Sequence, residues 1–197
     1  MNGFEKRRLS KMENILDAAK DLFLKQGVQK VNIKQIAKKA NVSQVTIYNY
    51  FGSKEKLLVE VIRSMLETQM AEFSELFYSK KPFEEKIEQF IKLKIHFSRE
   101  MNEDFLFLLM SENKEIRDLY NRFAEKEALP FFKAFVDQGK SEGVIREDLS
   151  FDSILFYINA FSNEAFKQPE LFKDPQSRNT LAIDLNQLFF YGISGKK

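Results

Sequence analysis

Between residues 32 and 53 the chain carries three polar caps, at Asn32, Ser43 and Ser53, each followed by an apolar pattern at helical spacing. The first two helices they open are too short to hold themselves together in water and must be locked against each other. Ala37, Asn41 and Ile47 have the spacing for that lock. Ala37 is small enough for a second helix to cross closely. Asn41 tolerates a left-handed backbone in the turn at modest cost. Ile47 is the apolar anchor of the following helix, with Val42 and Phe51 closing a small core. If Ile47 and Phe51 face inward, Gln44, Val45, Tyr48 and Asn49 must face outward, with Thr46 and Tyr50 at the edges.

The rest of the chain reads as helix on helix. Ser10-x-x-Glu13 has the form of a capping box before Ile15, Ala18, Ala19, Leu22 and Phe23, and Gly27 ends that run. Asn32-x-x-Gln35 is a second capping box for a short helix through Ala40. Ser53 opens a helix with Leu57, Leu58, Val61, Ile62 and Met65 on one stripe, unbroken to about Phe77. Pro82, Glu84 and Glu85 suit the start of another. A short apolar helix is expected over Phe105–Met110. A long one follows over 113–139, where Pro130 must kink or restart it. Ser150 caps a helix over 151–167, and Asp174-Pro175 caps the last, to a stop at Gly192. The expected fold class is all-α, with about nine helices: a three-helix helix-turn-helix head (residues 1–56) and a larger helical domain (residues 57–197).

Composition narrows the function. There is no Cys and a single His, His96, so thiolate chemistry and a His/Cys metal cluster are absent by inventory. No nucleophile-elbow or phosphate-loop glycine pattern occurs, so an enzyme is not expected, and no cofactor or metal is either. The longest apolar run, Phe105–Met110, has six residues, far short of a membrane span. Lys6, Arg7 and Arg8 are followed by Ser10, Lys11 and Glu13 where a signal peptide would need an apolar stretch, so a cytoplasmic location is expected. The overall charge of +2 hides an asymmetry: residues 1–56 carry 12 Lys/Arg and 5 Asp/Glu, and the remainder is net acidic. A basic head on an acidic body points to a polyanionic partner. A helix of the width of 44–51 fits the major groove of duplex DNA, where Gln44 and Asn49 can pair with base edges and Val45 can pack on a thymine methyl. The hydroxyls of Thr46 and the tyrosines, and the Lys54 ammonium in the first turn of its helix, suit phosphate.

Residues 14–61, "NILDAAKDLFLKQGVQKVNIKQIAKKANVSQVTIYNYFGSKEKLLVEV", closely resemble the DNA-binding domain of TetR/AcrR-type transcriptional regulators. The resemblance rests on "ILDAA…LF…G" and "I..IA..A.VS..T.Y.YF.SKE.L". Asn41 stands where Gly is usual, and Asn49 where His is common. The resemblance implies that Lys34, Gln44, Val45, Thr46, Tyr48 and Asn49 approach base edges or nearby backbone, and that Asn32, Ser43, Tyr50 and Lys54 hold phosphates. It also implies an apolar effector pocket in the C-terminal body, for which the candidates are Met65, Phe97, Met101, Phe105, Leu109, Phe123, Phe131, Phe135, Phe156 and Asn159. Helix 151–167 is apolar nearly all round, as is the end of helix 175–191, which points to a four-helix homodimer interface through the two. The expected function is a ligand-responsive regulator, a repressor released from a near-palindromic operator by a hydrophobic small molecule. The alternative is a DNA-bound structural or division-linked protein using the same head without an effector.

Overall fold

The computed structural model describes residues 3–100, 105, 108, 113–168 and 174–193. Every regular element among them is helical: α1 (Gly3–Gln26), α2 (Ile33–Lys39), α3 (Gln44–Phe51), α4 (Lys54–Tyr78), α5 (Phe83–Glu100), α6 (Lys114–Phe123), α7 (Leu129–Ser141), α8 (Phe151–Lys167) and α9 (Pro175–Ile193). The chain divides into two compact units, Met1–Thr68 with Met101–Tyr120, and Gln69–Glu100 with Asn121–Lys197.

In the first unit the expected periodicity becomes burial. Ile15, Ala18, Ala19, Leu22 and Phe23 of α1 are buried, as are Ile33, Ile36 and Ala37 of α2, Ile47 and Phe51 of α3, and Leu57, Leu58, Val61 and Ile62 of α4. The capping box at α2 is complete: Gln35 N–H donates to Asn32 Oδ1 at 3.0 Å, and Asn32 N–H donates to Gln35 Oε1 at 2.8 Å. At the other end of α2, Asn41 has φ 53°. Its left-handed backbone lets Val42 N–H reach the Ala37 carbonyl at 3.0 Å and Asn41 N–H reach the Lys38 carbonyl at 3.3 Å. Two end carbonyls are thereby satisfied while the chain turns, the pair of bonds that define a Schellman cap.

One boundary in this unit differs from expectation. α1 begins at Gly3, so Ser10 and Glu13 lie within the helix and do not cap it. Residues 4–9 contain good helix formers and no proline. Adding turns to a nucleated helix is cheap, so the helix runs back past the serine.

The second unit has its own core of Phe83, Phe135, Val136, Ile145 and Ile154, covered by Phe77, Ile87, Phe132, Val144, Leu149, Phe151, Ile158 and Phe189. The expected disturbance at Pro130 takes the form of a π-helical segment, Ala124–Ala128, where Leu129 N–H bonds to the Ala124 carbonyl. Proline has no N–H and its ring crowds the carbonyl four residues back, so a wider turn just before it relieves the clash. The caps at Ser150 and Asp174 form as expected: Ser153 N–H donates to Ser150 Oγ at 3.0 Å and Ser177 N–H to Asp174 Oδ2 at 2.7 Å. α9 runs to Ile193, one residue beyond Gly192. Most of the helix expected over Phe105–Met110 lies outside the described residues.

Candidate nucleic-acid interface

α3 divides its eight residues cleanly. Ile47 and Phe51, one turn apart, are buried, whereas Val45 is 65% exposed and Tyr48 49% exposed. Gln44 and Asn49 are exposed as well, and Thr46 and Tyr50 are half-buried. Leaving Val45 and Tyr48 in water gains nothing for the fold. The helix carries no acidic or basic side chain in its first or last turn, so its outer face offers amides, hydroxyls and a methyl-bearing surface. Those are the groups that read base edges.

The N-terminus of α3 is held tightly. Ser43 Oγ accepts the Thr46 N–H at 3.0 Å and lies 2.8 Å from Thr46 Oγ1. The two hydroxyls share a hydrogen bond, and Ser43 remains exposed. At α4 the Ser53 Oγ accepts the Lys56 N–H at 3.2 Å. The carboxyl of Glu55, next to Lys54, is held below its ordinary range, chiefly by its own backbone N–H at the helix start and then by the Ser53 hydroxyl.

A concavity of about 590 Å³ gathers Gln29, Lys30, Val31, Asn32, Ile33, Lys34, Gln44, Tyr48 and Lys54. Five of the ten expected DNA-facing residues (Asn32, Lys34, Gln44, Tyr48 and Lys54) thus line one surface, while Ser43, Val45, Thr46, Asn49 and Tyr50 belong to α3 and its cap outside it. Sequence reading missed Gln29 and Lys30. The available signal was a lysine in the turn just before the α2 cap. Lys39, also basic and nearby in sequence, is engaged elsewhere: with Lys25 it pairs with Asp21, each at 2.6 Å. Those bonds, that to Lys25 first, hold the Asp21 carboxyl below its usual range.

The expected effector residues separate into groups. Phe97, Phe131 and Phe135 meet in a network of rings with Phe73, Phe77 and Phe90, with Phe73–Phe90 centroids 4.5 Å apart and Phe90–Phe135 centroids 5.5 Å apart. Phe123 is half-buried in the same unit. Met65 is half-buried and Phe105 fully buried, both in the first unit. Phe156 and Asn159 stand apart from the ring network, exposed on the outer face of α8. Met101 and Leu109 lie outside the described residues.

A short helix, a left-handed turn on a small-residue crossing and an exposed polar second helix beside lysines together make a helix-turn-helix DNA-binding module. Residues 15–61 match the family model of bacterial regulatory proteins, tetR family. The chain is 33% identical over 159 residues to an HTH-type transcriptional regulator of Haemophilus influenzae, covering 75% of this chain and 76% of that one. It is 28% identical over 149 residues to the fatty acid metabolism regulator protein of Bacillus subtilis, covering 73% and 75%. The transcriptional regulator FadR from Bacillus subtilis, solved in complex with stearoyl-CoA, shares the fold with a TM-score of 0.68 at 22% identity, over 92% of this chain and 98% of that one. The chain belongs to the TetR family of helix-turn-helix transcriptional regulators.

Proposed function

We propose that this protein is a cytoplasmic, homodimeric, ligand-responsive repressor, released from a near-palindromic operator when an apolar small molecule binds within residues 57–197. The observation that carries the DNA half is the convergence of Asn32, Lys34, Gln44, Tyr48 and Lys54 on one concavity beside the uncharged outer face of α3. Gln44, Val45, Tyr48 and Asn49 read base edges; Asn32, Ser43, Tyr50 and Lys54 hold the backbone. Lys34 reaches either. The dimer places two copies of α3 about 34–36 Å apart, one turn of duplex. It forms through α8 and α9, where Phe156 and Leu188 are exposed large apolar side chains.

The ring network around Phe97, Phe131 and Phe135 supports an apolar effector, since a cluster of aromatic and flexible apolar groups takes a lipophilic molecule best. The relative solved with stearoyl-CoA makes a long-chain acyl thioester the first compound to test. Coupling runs along α4, a single helix from Lys54 to Tyr78. Effector binding shifts that helix and with it the spacing of the two heads. A coupling of about 1–3 kcal/mol suffices for a 5- to 150-fold loss of affinity.

The test begins with selection of bound sequences from a random duplex library. A near-palindrome is expected. Tyr48→Ala and Lys54→Ala must weaken binding to it while the far-ultraviolet circular dichroism stays that of the parent. Stearoyl-CoA, added to the complex, is expected to release the duplex. Affinity unchanged in both variants overturns the assigned face. Tighter binding on adding effector overturns release.

A further inference from the structure

The first three turns of α1 form an overhang. Residues 3–11 are all exposed, Met12 is half-buried, and the first buried residue of the helix is Ile15. At 1.5 Å per residue the stretch from Gly3 to Asn14 is roughly 18 Å long. It carries Lys6, Arg7, Arg8 and Lys11 against Glu5 and Glu13. Arg7 and Lys11 lie one turn apart, as do Arg8 and Lys11, and like charges at that spacing destabilise a helix. A segment that buries almost nothing and carries four basic side chains against two acidic ones suits a partner of opposite charge.

The fold also says where this segment lies within its own unit. Gln35 of α2 bonds to Gln26 of α1 at 3.4 Å, and Lys39 of α2 bonds to Asp21 at 2.6 Å. Walking forward along α2 is therefore walking backward along α1. The end of α2 from which the chain turns at Asn41 therefore lies nearer the overhang than the start of α2 does. α3, with the sequence QVTIYNYF, has no charged residue at all. The electrostatic part of duplex binding must come from the segments around it. Lys39 and Lys25 are paired with Asp21, so the charge left for that part includes Lys30, Lys34 and Lys54 around the concavity and the four basic side chains of the overhang.

We propose that Lys6, Arg7, Arg8 and Lys11 on the overhang of α1 form a second duplex-binding surface, which grips backbone phosphates outside the stretch read by α3. It rests on the DNA-binding reading above. Duplex DNA presents a negative charge every ~1.7 Å of its axis, so a helix of this length faces several phosphates at once. Arginine is suited to them because its planar fork donates two parallel hydrogen bonds to phosphate oxygens. Such contacts carry no sequence information; they add affinity to every duplex alike.

The experiment measures binding of the full chain to sheared, mixed-sequence genomic duplex by fluorescence anisotropy over a salt series. The parent is compared with the quadruple variant Lys6→Ala, Arg7→Ala, Arg8→Ala, Lys11→Ala. Each phosphate contact contributes about 0.9 to the slope of log K against log salt. The slope is expected to fall in magnitude by about 2–4, with weaker binding at every salt concentration. On the sequence selected as operator, the variant is expected to lose the same factor and keep the same base preference. Circular dichroism and the melting temperature serve as the fold control, since alanine is a good helix former and little side-chain packing is removed. An unchanged slope and affinity overturn the proposal while leaving the α3 reading intact, as does a loss confined to the operator. A parent protein that binds no duplex overturns the underlying reading and this inference together.

Discussion

The ammonium of Lys86, in α5, donates to the backbone carbonyl of Phe77, in the last turn of α4, at 2.6 Å. Lys86 is only 3% exposed, and its Nζ sits 5.7 Å from the centre of the Phe77 ring. A cation placed at the C-terminal end of a helix meets the negative pole of its dipole and one of the carbonyls that lack an intrahelical donor. The neighbouring Leu76 carbonyl is served by the Ser79 hydroxyl at 2.6 Å. Lys86→Met keeps the length of the side chain and removes the donor. The expected cost is about 1–3 kcal/mol, from a carbonyl left without its partner. A fall in melting temperature should accompany faster hydrogen exchange in the last turn of α4. A melting temperature equal to the parent's would show that the bond contributes nothing.

Gly139 is a second position where the fold is exacting. A Cβ added there would lie 2.5 Å from Phe83 Cε1 and 2.6 Å from Ile145 Cδ1, both in the core of the second unit. The Gly139 carbonyl also receives the N–H groups of Val144 at 2.9 Å and Ile145 at 3.0 Å, which fold the chain back after α7. Neither neighbour can retreat without moving the core. Gly139→Ala is expected to destabilise by about 1–3 kcal/mol through overpacking, although alanine is the better helix former. Denaturant titration checks it. Gly143 is the control: its added Cβ would meet nothing within 4 Å, but φ is +71° there. Gly143→Ala therefore costs backbone strain alone, roughly 1 kcal/mol.

How far these features could be read in advance follows from how local each one is. Ile47 and Phe51 are four residues apart behind a serine cap, so the outward face of α3 follows from spacing alone. Asn41 is legible for the same reason, because the turn needs one residue that tolerates positive φ. The overhang of α1 was hidden by Ser10 and Glu13, which have the capping pattern but sit in a sequence with no reason to stop the helix upstream. The placement of Phe156 and Asn159 was hidden by α8 itself. A helix apolar on almost every side has no period that says which side is in. Lys86 was illegible because its partner is a backbone carbonyl nine residues away, which leaves no mark in residue type. Gln29 and Lys30 join the candidate interface only because a turn before α2 brings them beside α3.

Tyr120 gives a prediction in pH. Burial disfavours its phenolate and pushes the group up from 10.0 to about 12. In the unfolded chain the same phenol ionises near 10. The contribution to stability is therefore complete below pH ~10 and is lost as pH rises through the folded value, because over that window the unfolded state sheds a proton that the folded state keeps. Two units correspond to at most about 2–3 kcal/mol. Spectrophotometric titration of the six tyrosines should show a late step near 12. In Tyr120→Phe that late step should vanish, and the alkaline decline in stability should become shallower. A Tyr120→Phe titration with the late step intact would place it on another tyrosine.

The outer face of α8 and α9 supplies the last prediction. Phe156 is 76% exposed and Leu188 61% exposed. Tyr157 of α8 and Phe189 of α9 stack at 5.8 Å, so the two helices hold each other while these apolar side chains remain outside. In a homodimer each is buried twice, once per copy, across a self-complementary surface. Burying a side chain of this size contributes roughly 1.5–3 kcal/mol. Phe156→Asp and Leu188→Asp would place carboxylates in that surface, where desolvating them opposes association. Sedimentation of the double variant should therefore give a monomer where the parent gives a dimer. The helical signal should remain that of a folded chain, because neither side chain belongs to the core of its own unit. Operator affinity should fall with it, since a single head keeps its contacts but loses the second half-site. A double variant that sediments as the parent does would remove α8 and α9 from the interface. A monomer that held the operator as tightly as the parent would break the link between dimer spacing and DNA reading on which release by an effector depends.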